Sequence, residues 1–239
     1  TYALVADTSQ SKGVDYSALV VFDVSKMPYT QVAVFRDNTI SPLLYPNVIH
    51  NIGNKYNQAH VLIEVNDIGS QVADTLHYDL EYENIMIVTM RGRGGQQIGG
   101  WFAKNIQLGI RTSKLIKGIG CAALKDLIEH AQLLIPDFES IKELTTFALT
   151  NNTYQAEEGA HDDLAMTLVI FSWLVQQRYF KELTNMDVRK KMWEDQMETL
   201  EQDMLPFGII DDGMAQETVV DTEGQSWDVV DDNARRLYT

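Results

Sequence analysis

Three carboxylates occupy positions where an acidic side chain is costly. Asp7 closes the apolar run TYALVAD, Glu64 interrupts VLIEV, and Asp162 precedes LAMTLVIFSWLV. A lone carboxylate beside an apolar strand or helix must be paired, protonated or bound to metal. Three of them, in strand, strand and helix contexts, suggest convergence on one divalent-cation site. Hard oxygen ligands suit Mg²⁺ or Mn²⁺, and two such ions about 3.5–4 Å apart can drive phosphodiester hydrolysis. Each residue also has a plainer use: Asp7 could start a turn, Glu64 could form a buried ion pair, and Asp162 could cap its helix.

The elements that must position these residues follow from the apolar periodicity. ALVAD, SALVVFDV and QVAVFRD read as three strands joined by polar turns, hence an antiparallel meander. A helix is expected over Pro42–Tyr56, with Pro46 near its start. HVLIEV reads as a buried strand in a parallel arrangement. A helix from Asp67 or Gly69 to about Leu80 follows, then a fifth strand in NIMIVTM. RGRGGQQIGG reads as a mobile glycine loop. Amphipathic helices are expected over Phe102–Thr112 and Cys121–Gln132, a short strand in LLIPD, a helix near Ser140–Thr146, and a hairpin across FALTNNTYQAEEG. The stretch from Asp162 to about Phe180 is apolar nearly all round and should be a buried helix. A polar helical stretch to about Gln202 and an acidic tail finish the chain. The order β-β-β-α-β-α-β implies an α/β fold, a mixed sheet with helices on both faces. If neighbouring strands carry Asp7 and Glu64, the spacing of about 4.8 Å lets the two share a cation.

Composition sets the bounds. The 239 residues suit a domain of 1–181 with an extension over 182–239, packed on the core or appended to it. The run Leu164–Val175 is too short to span a bilayer, which needs about 20 residues. No secretory leader opens the chain, and a first residue of Thr suggests a fragment of something longer. Cys121 alone rules out an internal disulfide and fits a reducing cytoplasm. The net charge of −15 argues against a polyanion partner, but its distribution matters more. Residues 201–239 hold ten acidic and two basic side chains, whereas Arg91–Lys117 holds Arg91, Arg93, Lys104, Arg111, Lys114 and Lys117 with no acid. That stretch could receive DNA phosphates even on an acidic protein; otherwise it is a solvated loop and helix.

Together, DTSQSKGVDYSAL (7–19), EVNDIG (64–69) and HDDLA (161–165) resemble the nuclease domain of phage large terminases, most closely the packaging motors of T-even-type tailed phages. The resemblance covers roughly residues 1–180. It implies an RNase H-like, RuvC-type fold with an acidic metal cluster, Asp7, Glu64 and Asp162 taking the ligand positions. Asp163 is the alternative to Asp162, since only one of the pair need face the metal. Asp15 matches a G-x-D-x-S element and supports the site or holds the hairpin. Asn66 and Asp67 are candidates for supporting groups or a helix cap, and capping suits Asp67. His161 is either a proton donor or a solvent-facing histidine. The resemblance further implies Mg²⁺ or Mn²⁺ (two ions) and double-stranded DNA as substrate. The implied partners are the ATPase domain of the full subunit, the portal and the small terminase subunit. The implied setting is the prohead in the host cytoplasm, with no membrane.

Other signals are missing from the sequence. There is no G-x-x-x-x-G-K-[ST] phosphate loop, no H-E-x-x-H, and no second cysteine for a thiolate zinc site. The rival readings are a RuvC-like Holliday junction resolvase and a catalytically silent docking module of the packaging motor.

Overall fold

The computed structural model describes residues 1–9, 15–90, 96–99, 106–150 and 153–184, and the backbone of 218–220 and 226–228. In chain order, β1 (Tyr2–Asp7), β2 (Ser17–Asp23) and β3 (Tyr29–Asp37) precede α1 (Tyr45–Lys55). Then come β4 (His60–Ile63) and α2 (Gly69–Asp74), which runs into a π-helical turn over Thr75–Asp79. Next are β5 (Ile87–Met90), β6 (Gln96–Ile98) and β7 (Ile106–Leu108). After α3 (Lys114–Glu129), β8 (Leu133–Leu134) and α4 (Phe138–Thr146), the hairpin of β9 (Phe147–Thr150) and β10 (Thr153–Ala156) leads to α5 (Asp163–Val175).

The main sheet has the order β4-β1-β2-β3-β8. The meander β1-β2-β3 is antiparallel, while β4 and β8 join its two edges in parallel. Alternation along the strands divides the core. Ala3, Val5, Ala18, Val20, Phe22 and Leu62 face α3 and α5. Leu4, Ala6, Leu19, Val21, Val61 and Ile63 face α1 and α2. Every residue of α5 is buried, so this apolar helix is the central packing element of its layer. Burying a Leu, Ile, Val or Phe stabilises by about 1.5–3 kcal/mol, enough to hold a helix with few polar contacts of its own.

Several local expectations shift. The helix expected over Phe102–Thr112 is not formed where the chain is described: Ile106–Leu108 is a strand against β5. Ile106, Leu108 and Ile110 alternate, and Gly109, at φ +81°, passes so near the Ile63 carbonyl that a Cβ would stand 2.3 Å from it. Within the expected glycine loop, Gln96–Ile98 pairs with the other side of β5, so NIMIVTM centres a three-stranded sheet, and its first residues bridge in parallel to Val61 of β4. Residues 91–95 of that loop, and 100–105, lie outside the described residues. So does the polar helical stretch expected to reach Gln202, from 185 onward. Helix α3 begins earlier than expected because the Ser113 hydroxyl accepts the Ile116 amide.

The chain divides into two compact units, Thr1–Met192 and Trp193–Thr239. In the second, the described residues form one antiparallel pair, β11 (Thr218–Val220) with β12 (Ser226–Asp228). Among the described residues no helix is long and apolar enough to cross a membrane.

Candidate metal centre

The sheet register assembles the site. Ala6 pairs with Ile63, so the next step along β1 and β4 sets Asp7 beside Glu64, and the Glu64 amide donates to the Ala6 carbonyl at 2.8 Å. Both acids continue the face of Val5 and Leu62, the face covered by α5. On the same rung Asp7 pairs with Ala18 and Ala18 with Arg36, which brings a guanidinium to that face two strands away. Helix α2 starts close by at Gly69, where a Cβ would lie 2.0 Å from the Glu64 carbonyl oxygen. Only glycine lets the two backbones approach this closely.

Asp7 feels its neighbours strongly. Burial lifts its pKa well above the usual carboxylate range, and the Glu64 charge, a hydrogen bond with the Glu64 carboxyl and the Asp163 charge lift it further. Its backbone partner Thr8 opposes the rise. Asp7 as a residue is partly accessible, whereas Glu64 and Asp163 are buried. Asp163 is pushed up to about 7, first by burial and then by Glu143, with Asp162 adding to it and the Tyr16 amide and Arg36 opposing. Its Oδ1 accepts the Tyr16 amide at 3.2 Å, while Oδ2 is buried without a hydrogen-bond partner. Arg36 Nη2 and His161 Nδ1 each stand 3.9 Å from that oxygen.

Asp162 is turned elsewhere. Its Oδ2 accepts the amide of Ala156 at 3.3 Å, and as the residue before α5 it makes no side-chain cap. Asn66 Nδ2 donates to Glu64 Oε1 at 2.8 Å and to the Thr112 carbonyl at 3.2 Å, tying the acid to the strand end that follows β7. Asp67 is exposed at φ +49°, and α2 starts from Ile68 without a side-chain cap. Asp15 is exposed; its carbonyl receives the Ser9 hydroxyl at 3.0 Å, which links the residues just after β1 to those just before β2. The His161 ring meets the Tyr16 ring edge-on at 4.9 Å. Arg111 and Lys114 are exposed and Lys117 partly so, whereas Arg91, Arg93 and Lys104 lie outside the described residues.

Sequence reasoning misses three participants: Tyr16, Arg36 and Glu143. Arg36 Nη2 lies 3.0 Å from Glu143 Oε1, out of line for a hydrogen bond, and its guanidinium covers the Tyr16 ring at 3.8 Å. The signal was present as charge on an inward-facing period: Arg36 follows Val34 along β3, and Glu143 shares the buried side of α4 with Ser140.

Among the described residues no three Asp, Glu, His or Cys side chains already stand in a coordinating array. Asp7 and Glu64 hydrogen-bond each other, and the Asp163 charge acts on Asp7. An orphaned, buried carboxylate oxygen and an all-oxygen donor set nonetheless fit a hard divalent cation.

A mixed sheet with an antiparallel meander, a parallel strand beside it and acids at their shared end defines an RNase H-like domain. The family model of the terminase RNaseH-like domain matches residues 4–171, and the chain belongs to that family. Among solved structures it is similar to the large terminase nuclease from thermophilic phage G20c with bound cobalt. That match has 21% identity and a TM-score of 0.54, covering 74% of this chain and 81% of that one. The same nuclease with bound zinc matches at 20% identity and TM-score 0.51, over 74% and 81%. The large terminase nuclease domain of Thermus phage P74-26 matches at 21% and 0.51, over 71% and 76%.

Proposed function

We propose that this chain is the metal-dependent endonuclease domain of a large terminase subunit, cutting concatemeric double-stranded DNA during genome packaging. The observation that carries the reading is the convergence of Asp7, Glu64 and Asp163: burial and then the Glu64 and Asp163 charges lift Asp7 well above its ordinary range, while burial and Glu143 lift Asp163 to about 7. A divalent cation relieves that repulsion. Family membership and the cobalt- and zinc-bound relatives support the same reading.

Asp7, Glu64 and Asp163 would hold Mg²⁺ or Mn²⁺, with Asp163 taking the place that local spacing gave to Asp162. Two bound ions would supply an activated water and stabilise the departing 3′ oxygen. Asn66 holds Glu64 in orientation, and the Tyr16 amide does the same for Asp163. His161, whose Nδ1 stands 3.9 Å from Asp163 Oδ2, would give a proton to the leaving oxygen. Arg111 and Lys114, exposed next to Thr112, would guide phosphates toward these acids. The family context adds the subunit's ATPase domain, the portal and the small terminase subunit as partners, at the prohead in the host cytoplasm.

The test is incubation of supercoiled plasmid with the purified chain. Nicked and linear products are expected with Mg²⁺ or Mn²⁺ and none with EDTA; intact plasmid under both ions would overturn the reading.

A further inference from the structure

We propose that Glu143 and Arg36 are positioning residues: Glu143 caps α5 from across the fold and sets where Asp163 stands, and Arg36 locks Glu143 to the sheet rung of Asp7. The proposal rests on the metal-site reading above.

A helix leaves its first amides without intrahelical acceptors, and the residue before it normally supplies one. In α5 that residue, Asp162, makes no cap bond. Instead Glu143 Oε2, from α4, accepts the amides of Leu164 at 2.7 Å and Ala165 at 3.0 Å. These immediately follow Asp163, so the depth of the first turn over the sheet is set by a side chain twenty-one residues upstream. A carboxylate at the positive end of a helix makes charge-assisted hydrogen bonds, stronger than those of a neutral cap.

Glu143 is only 4% exposed and its helix is itself anchored. Gln31 Nε2 on β3 donates to Ser140 Oγ at 2.9 Å. Arg36, further along the same strand, faces Glu143 Oε1 at 3.0 Å and stacks on Tyr16, whose amide holds Asp163 Oδ1. The links close a ring: Asp163 to Tyr16, Tyr16 to Arg36, Arg36 to Glu143, and Glu143 back to the first turn of α5. Moving Glu143 therefore moves Asp163 relative to Asp7 and Glu64.

Mn²⁺ binding to the full chain without DNA, followed by electron paramagnetic resonance, tests this, with circular dichroism as the check on folding. Glu143→Ala should weaken Mn²⁺ affinity by about 10- to 100-fold, the usual effect of losing a group that orients a ligand. Glu143→Gln keeps an oxygen at the same reach and should stay nearer wild type, whereas Glu143→Asp keeps the charge, withdraws it by one methylene, and should bind as poorly as Glu143→Ala. Arg36→Lys, which loses the planar stack, should fall between. The amide proton shifts of Leu164 and Ala165 should move further in Glu143→Asp, which withdraws the acceptor, than in Glu143→Gln, which keeps it in place without the charge. If Glu143→Ala does not fold, the Gln and Asp ranking decides, and Asp binding as well as Gln or better overturns the proposal. Wild-type affinity in all the Glu143 variants sinks the positioning role alone, whereas a wild-type chain that binds no Mn²⁺ sinks the metal site itself.

Discussion

Asp162 and Asp163 are neighbours in sequence and point to different partners: Asp162 takes the amide of Ala156, and Asp163 takes the amide of Tyr16. Successive helical residues differ in direction by about 100°, so at the start of α5 one residue decides which carboxyl meets the sheet. Asp7 is perturbed by Asp163, and Asp162 is not among the groups that perturb it. The chemistry assigned to this helix therefore follows its phase.

Asp163→Asn should reduce plasmid cleavage more than about 100-fold, because removing a ligand should exceed the 10- to 100-fold cost of removing a supporting group. Asp7→Asn and Glu64→Gln should behave alike. Asp162→Asn removes the charge but keeps an acceptor for the Ala156 amide, and should retain much of the activity. Single-turnover assays at matched folded fraction give the ranking; a silent Asp162→Asn paired with an active Asp163→Asn rules out this geometry.

Metal-free stability should fall as pH rises. Asp7, Asp163 and Glu143 all have folded pKa values raised above their ordinary ones. The native state then binds protons more tightly than the unfolded state, so these groups favour folding fully below the ordinary carboxylate range near 4. Their contribution is lost on the way up, for Asp163 through about 7. For Asp163 the loss should amount to a few kcal/mol, on the scale of roughly 1.4 kcal/mol per pKa unit. Thermal melts in EDTA should show a higher Tm at pH 5 than at pH 8, with Asp7→Asn flattening the difference. A Tm that rises with pH in this interval would contradict the assignment.

Much of this architecture is legible in the sequence because it is local. Alternation in ALVAD, SALVVFDV and QVAVFRD yields β1, β2 and β3, and the solid apolar block HVLI yields a strand parallel to β1. Phe102–Thr112 misleads because its apolar residues satisfy two periods at once: Phe102, Ile106 and Ile110 repeat every four, while Ile106, Leu108 and Ile110 repeat every two. The open edge of β5 and the Gly109 turn select the second. The ring around Asp163 is hidden for a different reason. Arg36, Glu143 and Asp163 are far apart in the chain, and no spacing rule joins a cap to a helix beginning some twenty residues later.

Gly69→Ala should damage the site through the backbone. The added Cβ would sit 2.0 Å from the Glu64 carbonyl oxygen and 2.8 Å from Thr8 Oγ1, so α2 must retreat. Overpacking of this kind costs roughly 1–3 kcal/mol. Chemical denaturation should report that loss, and Mn²⁺ affinity should fall with it because Glu64 moves. An unchanged midpoint would mean that α2 does not press on Glu64.

Divalent ions should stabilise the fold selectively. Mn²⁺ and Mg²⁺ should raise Tm with concentration as ligands that bind the native state do, and the rise should vanish in Asp7→Asn. Ca²⁺ should also raise Tm yet fail to support cleavage, since its larger, looser coordination misplaces the reacting oxygens. Cleavage at full rate in Ca²⁺ would remove the geometric basis of this mechanism.

Arg111 and Lys114 supply the last prediction, which concerns DNA approach rather than bond breaking. Both are exposed, and they flank Thr112, whose carbonyl is tied through Asn66 to Glu64. The Gln96 side chain brackets the backbone of Arg111, taking its amide at 2.9 Å and donating to its carbonyl. This cationic surface is therefore fixed next to the acids instead of trailing from a loop. On a chain of net charge −15, an approaching duplex needs such a track to overcome general repulsion. The double variant Arg111→Gln with Lys114→Gln should weaken DNA binding and lower the slope of log K against log salt by about 0.9 for each phosphate that is no longer neutralised. Mn²⁺ affinity should stay at the wild-type value, because both are exposed and neither is one of the proposed ligands. Binding isotherms over a salt series decide the matter: an unchanged slope places the DNA track on another surface.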